Sequence, residues 1–396
     1  MNCFGIDARS GAAVRVEGDA VIGAVEPLIS PPPDLPLLAP GFIDLQVNGF
    51  AGADFNQPAT PHEAIQASLR ALFRTGVTRF LPTIITGPPG GMAGALRNLA
   101  AAREALPDGP AMEGFHVEGP HISAEEGPRG AHPAQWVRPP DVEEYRRWQE
   151  ASQGQVRMVT LSPEWPGAPA YIEALVREGV VAAIGHTSAT AAQIEDAVRA
   201  GATISTHLGN GAHALIPRHP NYLWEQLAND RLAASFIVDG IHLPAAFLKV
   251  ALRAKGIERS VLITDAVTPA ACQPGFYRLG EMDVELHANG SVTLRGTTRL
   301  AGSALKMDCG IENLMRLAGL SLVEALAMTT RNPARVARIS GRQRGLTPGD
   351  RADLVAFRFD PDTKSIRIER TWLGGKLVYS SFGLRNPETT GCGPAP

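Results

Sequence analysis

The residues of this chain that could do chemistry sit where short apolar runs end. One run closes in Gln46-Val47-Asn48 and another in His116-Val117-Glu118-Gly119-Pro120. Others close in Gly185-His186-Thr187, Thr206-His207, Asp239-Gly240-Ile241-His242 and Thr264-Asp265-Ala266. Two imidazoles and a carboxylate make the ligand set of a catalytic zinc site that keeps one position for water. Glu118, His186 and His207 can supply that set. Nitrogen and oxygen ligands suit zinc, iron or another divalent first-row metal. Such an ion brings the pKa of a bound water towards neutrality and polarises a carbonyl. Asp265, at the end of a further run, is then the candidate base and later acid. Each residue also has a plain alternative. A single strand histidine can be a hydrogen-bonded core residue, and Asp265 can cap the next segment as an Asx turn. His116, two residues before Glu118, reads as a structural group of the same interior. His62, His219 and His287 read as solvated, while the roles of His121 and His213 stay open.

These groups meet only if the runs are strands of one barrel. Apolar runs recur at 42–48, 78–84, 114–118, 156–161, 180–186, 203–207, 234–239 and 261–265, separated by helix-period segments. Thr60-Pro61-His62-Glu63 offers a cap, a proline at the first helical position and an acid, before Ile65, Leu69, Leu72 and Phe73 at helical spacing. Segments 190–199 and 245–255 behave alike and stop at Gly201 and Gly256. Apolar strands alternating with helices imply a parallel sheet covered on both faces. Eight such units predict an α/β fold, a (β/α)₈ TIM-like barrel with catalytic groups at the carboxyl ends of its strands. An open dinucleotide-binding sheet would need a glycine-rich loop after its first strand, and GFIDLQVNGFAG is not one. The 87–91 stretch, GPPGG, reads as a flexible loop.

Both chain ends have a different texture, with short β-rich pieces and a proline run at Pro31-Pro32-Pro33. The expected organisation is a small β domain from residues 1–39 plus 341–396 around a catalytic barrel at 40–340. The Gly- and Pro-rich tail after Phe382 is expected to be disordered. The 37 basic and 40 acidic residues give a formal net charge of −3, which leaves no basic excess for nucleic acid. The four cysteines are widely spaced and form no CxxC pair, so neither a thiolate zinc site nor a disulfide framework is expected. No apolar run spans a bilayer and the start lacks the order of a signal peptide, so the expected location is cytoplasmic.

The ordered motifs resemble one family. PGFIDLQVNG (40–49), GFHVEGPHI (114–122), GAH (130–132), GHTSA (185–189), THLGNG (206–211), DGIHLP (239–244), LITDA (262–266) and LAGSALKM (300–307) are similar to those of the N-acetylglucosamine-6-phosphate deacetylases of the amidohydrolase superfamily. NPAR (332–335) and GLTPGDRADLVAF (345–357) look like that family's return into its β domain. The resemblance implies a distorted TIM barrel with a small β-sandwich, and hydrolysis of the acetamido group of an amino sugar to an amine and acetate. It implies one divalent metal, zinc by preference, on Glu118, His186 and His207, with Asp265 as general base and acid. Gln46-Val47-Asn48 stands where many superfamily members carry a His-x-His pair for a second metal. His132 would contact the acetamido group, His242 a sugar hydroxyl or the acetamido oxygen, and Asn210 and Gly211 would make loop contacts. Arg218 would bind the sugar phosphate across a homodimer. The family usually reads Ala-Met where this chain has Gly211-Ala212, and the 213–221 loop also departs from it. Those departures lie where the distal part of a substrate would sit. The alternative is an amidase or deaminase acting on a different, non-phosphorylated N-acyl compound; a non-catalytic metal-binding barrel is the reading from another class.

Overall fold

The structure is a computed structural model that describes residues 1–382. The tail expected to be disordered, with Cys392, lies outside the described residues. Eight strands, Phe42–Val47, Val77–Ile85, Phe115–Glu118, Val156–Leu161, Val181–Ile184, Ile204–Ser205, Ala233–Ile237 and Ser260–Ile263, pair side by side in chain order. The pairs are parallel throughout. The first and last edges meet at Val47 and Ala266, and the Asp265 N–H donates to the Gln46 carbonyl at 3.0 Å. The sheet is thereby drawn into a barrel. Every residue of the first, third, fifth, seventh and eighth strands is buried, as a sheet covered on both faces requires. Polar groups inside are paired: Thr264 Oγ1 donates to Asp44 at 2.6 Å, and His116 bonds Thr160 Oγ1 at 2.7 Å and the Leu45 carbonyl at 3.1 Å. His116 is thus a structural group of the barrel interior.

Several strands stop earlier than their apolar runs. The fifth, sixth and eighth each end two residues before His186, His207 and Asp265. Those three residues have φ of 50°, 29° and 50°, in the left-handed region that breaks extended pairing. Local corrections have similar causes. The first helix is His62–Phe73 with Pro61 as its cap, because the Thr60 hydroxyl is taken by the Asp54 carbonyl at 2.5 Å. Part of the expected GPPGG loop is instead the start of helix Pro89–Ala105, with Pro88 as the cap and proline in its first turn. Thr190 caps Ala191–Ala200 reciprocally with Gln193, and Gly201 at φ 113° ends it.

A seven-stranded sheet takes four strands from the amino end and three from the carboxyl end. A further four-stranded antiparallel sheet, absent from the sequence reading, runs Gly275–Leu279, Met282–Leu286, Ser291–Leu294 and Leu300–Ser303. Its inner side chains Leu279, Val284, Leu286, Val292 and Ala301 pack with Ile85 and Val267, so it stands against the carboxyl end of the barrel. Among the described residues no helix is long and apolar enough to cross a membrane. Cys3 and Cys272 are free.

The barrel is fastened to the end sheet by a buried charge cluster. Asp353, just before strand Leu354–Asp360, receives Arg342 Nη1 at 2.6 Å, Arg79 Nε at 2.8 Å and the Gly374 N–H at 2.6 Å. Arg342 and Asp353 are buried, and Arg342 also donates to the Gly41 carbonyl. Removing the carboxylate strands the buried Arg342 guanidinium out of water and leaves Arg79 with Glu113 at 3.6 Å. Asp353→Ala should therefore lower unfolding free energy by about 3–5 kcal/mol. Urea denaturation measures it, and an unshifted midpoint would contradict the assignment.

Candidate active site

Glu118 closes the third strand; His186, His207 and Asp265 lie just past the fifth, sixth and eighth. All four are buried around one cavity of about 140 Å³. Glu118 Oε1 is 2.9 Å from His207 Nε2 and 3.5 Å from His186 Nε2. One donor atom from each of these three residues lies within 4.8 Å of the others. The left-handed backbone at His186, His207 and Asp265 carries strain of order 1–3 kcal/mol each, the pattern of a site fixed by its surroundings.

The donor chemistry fits a cation. His186 Nδ1 donates to the Pro128 carbonyl at 2.7 Å. A carbonyl only accepts, so neutral His186 carries its hydrogen on Nδ1 and turns a bare Nε2 towards Glu118. A lone pair and a carboxylate oxygen at that distance repel unless a proton or a metal ion lies between them. His207 Nδ1 is buried without a partner. Among the described residues the ion-pair partners of Glu118 are imidazoles: His186, His207, and His132 with its Nε2 3.9 Å from Oε2. Burial works to raise the Glu118 pKa, but the neighbouring His186 and His207 imidazoles outweigh it and hold the carboxyl well below its ordinary range. The glutamate thus stays anionic. Two imidazoles with one anionic oxygen donor make a site for a divalent ion.

Gln46 lies between the two carboxylates. Its Nε2 donates to Glu118 Oε1 at 2.9 Å and to Asp265 Oδ1 at 3.0 Å, filling the gap between the carboxylates with a neutral donor. Asn48 Nδ2 adds a bond to the same Asp265 oxygen at 2.7 Å. Asp265 is pushed up to about 6, first by burial and then by the Glu118 charge. A carboxyl titrating near neutrality suits a group that takes a proton and returns it.

The remaining expected residues are placed unevenly. His132 lines the cavity, its rings edge-on to His186 at 4.4 Å, and its Nδ1 meets Thr86 Oγ1 at 2.8 Å. His242 also lines it, its Nδ1 on Asp239 Oδ2 at 2.6 Å. Although burial opposes it, that bond holds Asp239 below its usual pKa. Asn210 and Gly211 form part of the wall. Gly211 has φ 57°, and a Cβ there would lie 2.6 Å from His186 Nδ1. A side chain at 211 would therefore press on this imidazole. Arg218 is exposed on the 213–221 loop and lines no part of the cavity; among the described residues its guanidinium makes no hydrogen bond or ion pair. No lysine or arginine among the described residues lines that cavity. His213 bonds Glu125 and Tyr222, both at 3.1 Å, and ties two loops together beside the site. His121 packs against Trp148 and Tyr171, away from the cavity. The sequence reading missed Leu279 and Met282 of the inserted sheet, which wall the cavity. Their alternation with polar neighbours was the available signal. A larger cavity of about 370 Å³, where the end sheet meets the barrel, shares no residue with this one.

Residues 37–378 match the amidohydrolase family across its barrel and flanking strands. The chain belongs to the amidohydrolase family. That family is metal-dependent, in keeping with the Glu118, His186 and His207 cluster. The chain is 35% identical over 327 residues to the N-acetylglucosamine-6-phosphate deacetylase of Bacillus subtilis, covering 82% of this chain and 81% of that one. It is 33% identical over 363 residues to the N-acetylgalactosamine-6-phosphate deacetylase of Escherichia coli O157:H7, covering 91% and 93%. The crystal structure of the Mycobacterium smegmatis N-acetyl-D-glucosamine-6-phosphate deacetylase superposes with a TM-score of 0.83 at 31% identity, covering 93% and 96%. A mutant of that enzyme is known in complex with N-acetyl-D-glucosamine-6-phosphate.

His186→Ala removes one donor while leaving the barrel core untouched. Metal per chain, measured by plasma mass spectrometry after dialysis, should fall from about one to a small fraction. Undiminished metal would refute the ligand assignment.

Proposed function

We propose that this chain hydrolyses the acetamide of N-acetylglucosamine 6-phosphate, giving glucosamine 6-phosphate and acetate. The single observation carrying this reading is the convergence of a Glu-His-His donor set with an unpaired-in-charge Asp265 on one buried cavity. The deacetylase relatives support the choice of an acetamido sugar. Glu118, His186 and His207 would hold the metal, for which zinc suits the donors best. When bound, that ion would acidify a water and polarise the acetamide carbonyl. Asp265 accepts the proton of the water that attacks the carbonyl carbon. His132 faces the carbonyl oxygen and stabilises the charge that develops there, an electrostatic contribution to which preorganised donors are suited. Asp265 then returns the proton to the nitrogen as the carbon–nitrogen bond breaks. Gln46 and Asn48 hold Asp265 in place through both transfers. His242, oriented by Asp239, and Asn210 hold the sugar.

The phosphate needs a cation that this cavity does not itself contain. Arg218 offers a free guanidinium, which can grip a phosphate bidentately. Its loop also carries Leu215, 92% exposed, with Trp224 at 49% close behind in the chain. Such apolar exposure fits a homodimer in which Arg218 of one copy reaches the cavity of the other. A phosphorylated sugar does not cross a membrane unaided, which supports a cytoplasmic location for the enzyme.

Acetate release separates the readings. The metal-loaded protein should turn over the phosphorylated sugar with a much higher kcat/KM than free N-acetylglucosamine, and Arg218→Ala should narrow the difference through KM. Equal activity on both sugars in the unaltered protein would end the phosphate reading, and no acetate from any N-acetyl amino sugar would end the deacetylase reading.

Asp265→Asn should retain the metal and abolish turnover. In the unaltered protein activity should fall as pH drops through the Asp265 pKa, because only the ionised carboxylate accepts a proton. That limb belongs at or below about pH 6, since a bound cation favours the anionic form further. Retained turnover in Asp265→Asn, or a limb well above neutrality, would contradict the role.

A further inference from the structure

We infer that Thr86 is a positioning residue that fixes His132 in the tautomer able to donate a hydrogen bond to the substrate carbonyl. The inference rests on the deacetylase reading of the cavity and assigns a residue outside the groups that carry that reaction.

A neutral imidazole donates from one nitrogen and accepts at the other, so the partner of one decides what the other offers. The site holds two imidazoles whose Nδ1 atoms have different partners. Behind His186 stands the Pro128 carbonyl, which can only accept. It leaves Nε2 of His186 bare, as a metal ligand must be. Behind His132 stands the Thr86 hydroxyl, 2.8 Å from Nδ1. A hydroxyl can donate or accept, and two features decide which. The Thr86 hydroxyl bonds no acceptor other than His132 Nδ1 among the described residues, so its proton is free to go there. His132 Nε2 also faces Glu118 Oε2 at 3.9 Å. A lone pair there would oppose an anionic oxygen, whereas an N–H is attracted to it. Both features place the hydrogen on Nε2, the nitrogen on the carboxylate side of the ring. The same two-sided logic therefore makes one histidine a ligand and its neighbour a donor.

The fold makes room for this hydroxyl. Thr86 follows directly on strand Val77–Ile85 and is buried. A Cβ at Gly119 would fall on its Oγ1, and Gly119 has φ 80°. Glycine at the end of the third strand thus serves two ends. It lets the chain turn after Glu118, and it leaves the Thr86 oxygen its place behind His132.

The test uses the metal-loaded full chain and N-acetylglucosamine 6-phosphate. Thr86→Val keeps the branched shape and removes the donor. It should lower kcat about 10–100-fold, the usual loss when a partner orienting a site group is removed. KM and bound metal should not change, and Thr86→Ser should recover most of the rate. Unchanged kcat in Thr86→Val, a loss that follows metal content, or a serine variant no better than valine would each overturn the proposal. Nitrogen NMR of histidine-labelled protein gives a reading independent of activity, with the His132 signals identified by their loss in His132→Gln. Hydrogen on Nε2 supports the assignment and hydrogen on Nδ1 overturns it. A protein that releases no acetate but shows hydrogen on Nε2 fails the deacetylase reading alone.

Discussion

A single buried carboxylate sets the terms for the whole site. Among the described residues Glu118 has no arginine or lysine partner; its ion-pair partners are three imidazoles, and its oxygen shares a small volume with two ring nitrogens. Burying an anion among neutral groups is costly unless a positive charge joins it. A divalent ion meets that need with the donors already present. The other features serve this arrangement. The Pro128 carbonyl sets the His186 tautomer, glycine at 211 leaves room for its ring, and the Gln46 amide joins Glu118 to Asp265 without adding charge.

The barrel makes the arrangement affordable. Three of its strands hand over to left-handed residues two positions past their ends, and each of those residues lines the cavity. Alone, such backbone would relax. Here parallel strands buried on both faces fix the chain on one side, and the loops beyond are tied by bonds such as His213 to Glu125 and Arg299 to Glu126 at 2.5 Å. The inserted four-stranded sheet closes a further wall with Leu279 and Met282.

Much of this was legible in the sequence, for physical reasons. Continuous apolar runs announced buried parallel strands, and Asp or His at their ends stood out because such residues are expensive to bury. Glu118, His186, His207 and Asp265 were found that way, and the structure brings them together. The strand limits were less legible, because a positive φ at His186 or Asp265 follows from the closed barrel and not from residue type. The start of helix Pro89–Ala105 was hidden by glycines and prolines that usually mark loops. The inserted sheet was missed because its strands are only four or five residues long, with Leu279, Val284, Leu286, Val292 and Ala301 turned inward to the core. Arg218 was legible only as a motif position, since what a surface guanidinium binds depends on what approaches it.

The most direct test of the central claim is anomalous diffraction from crystals grown with zinc. The account predicts one peak per chain, with Glu118, His186 and His207 at ordinary zinc–ligand distances of about 2.0–2.2 Å. Gln46 should still bridge Glu118 and Asp265 beside it. No peak among these three residues, or a second ion in the place of the Gln46 amide, would contradict it.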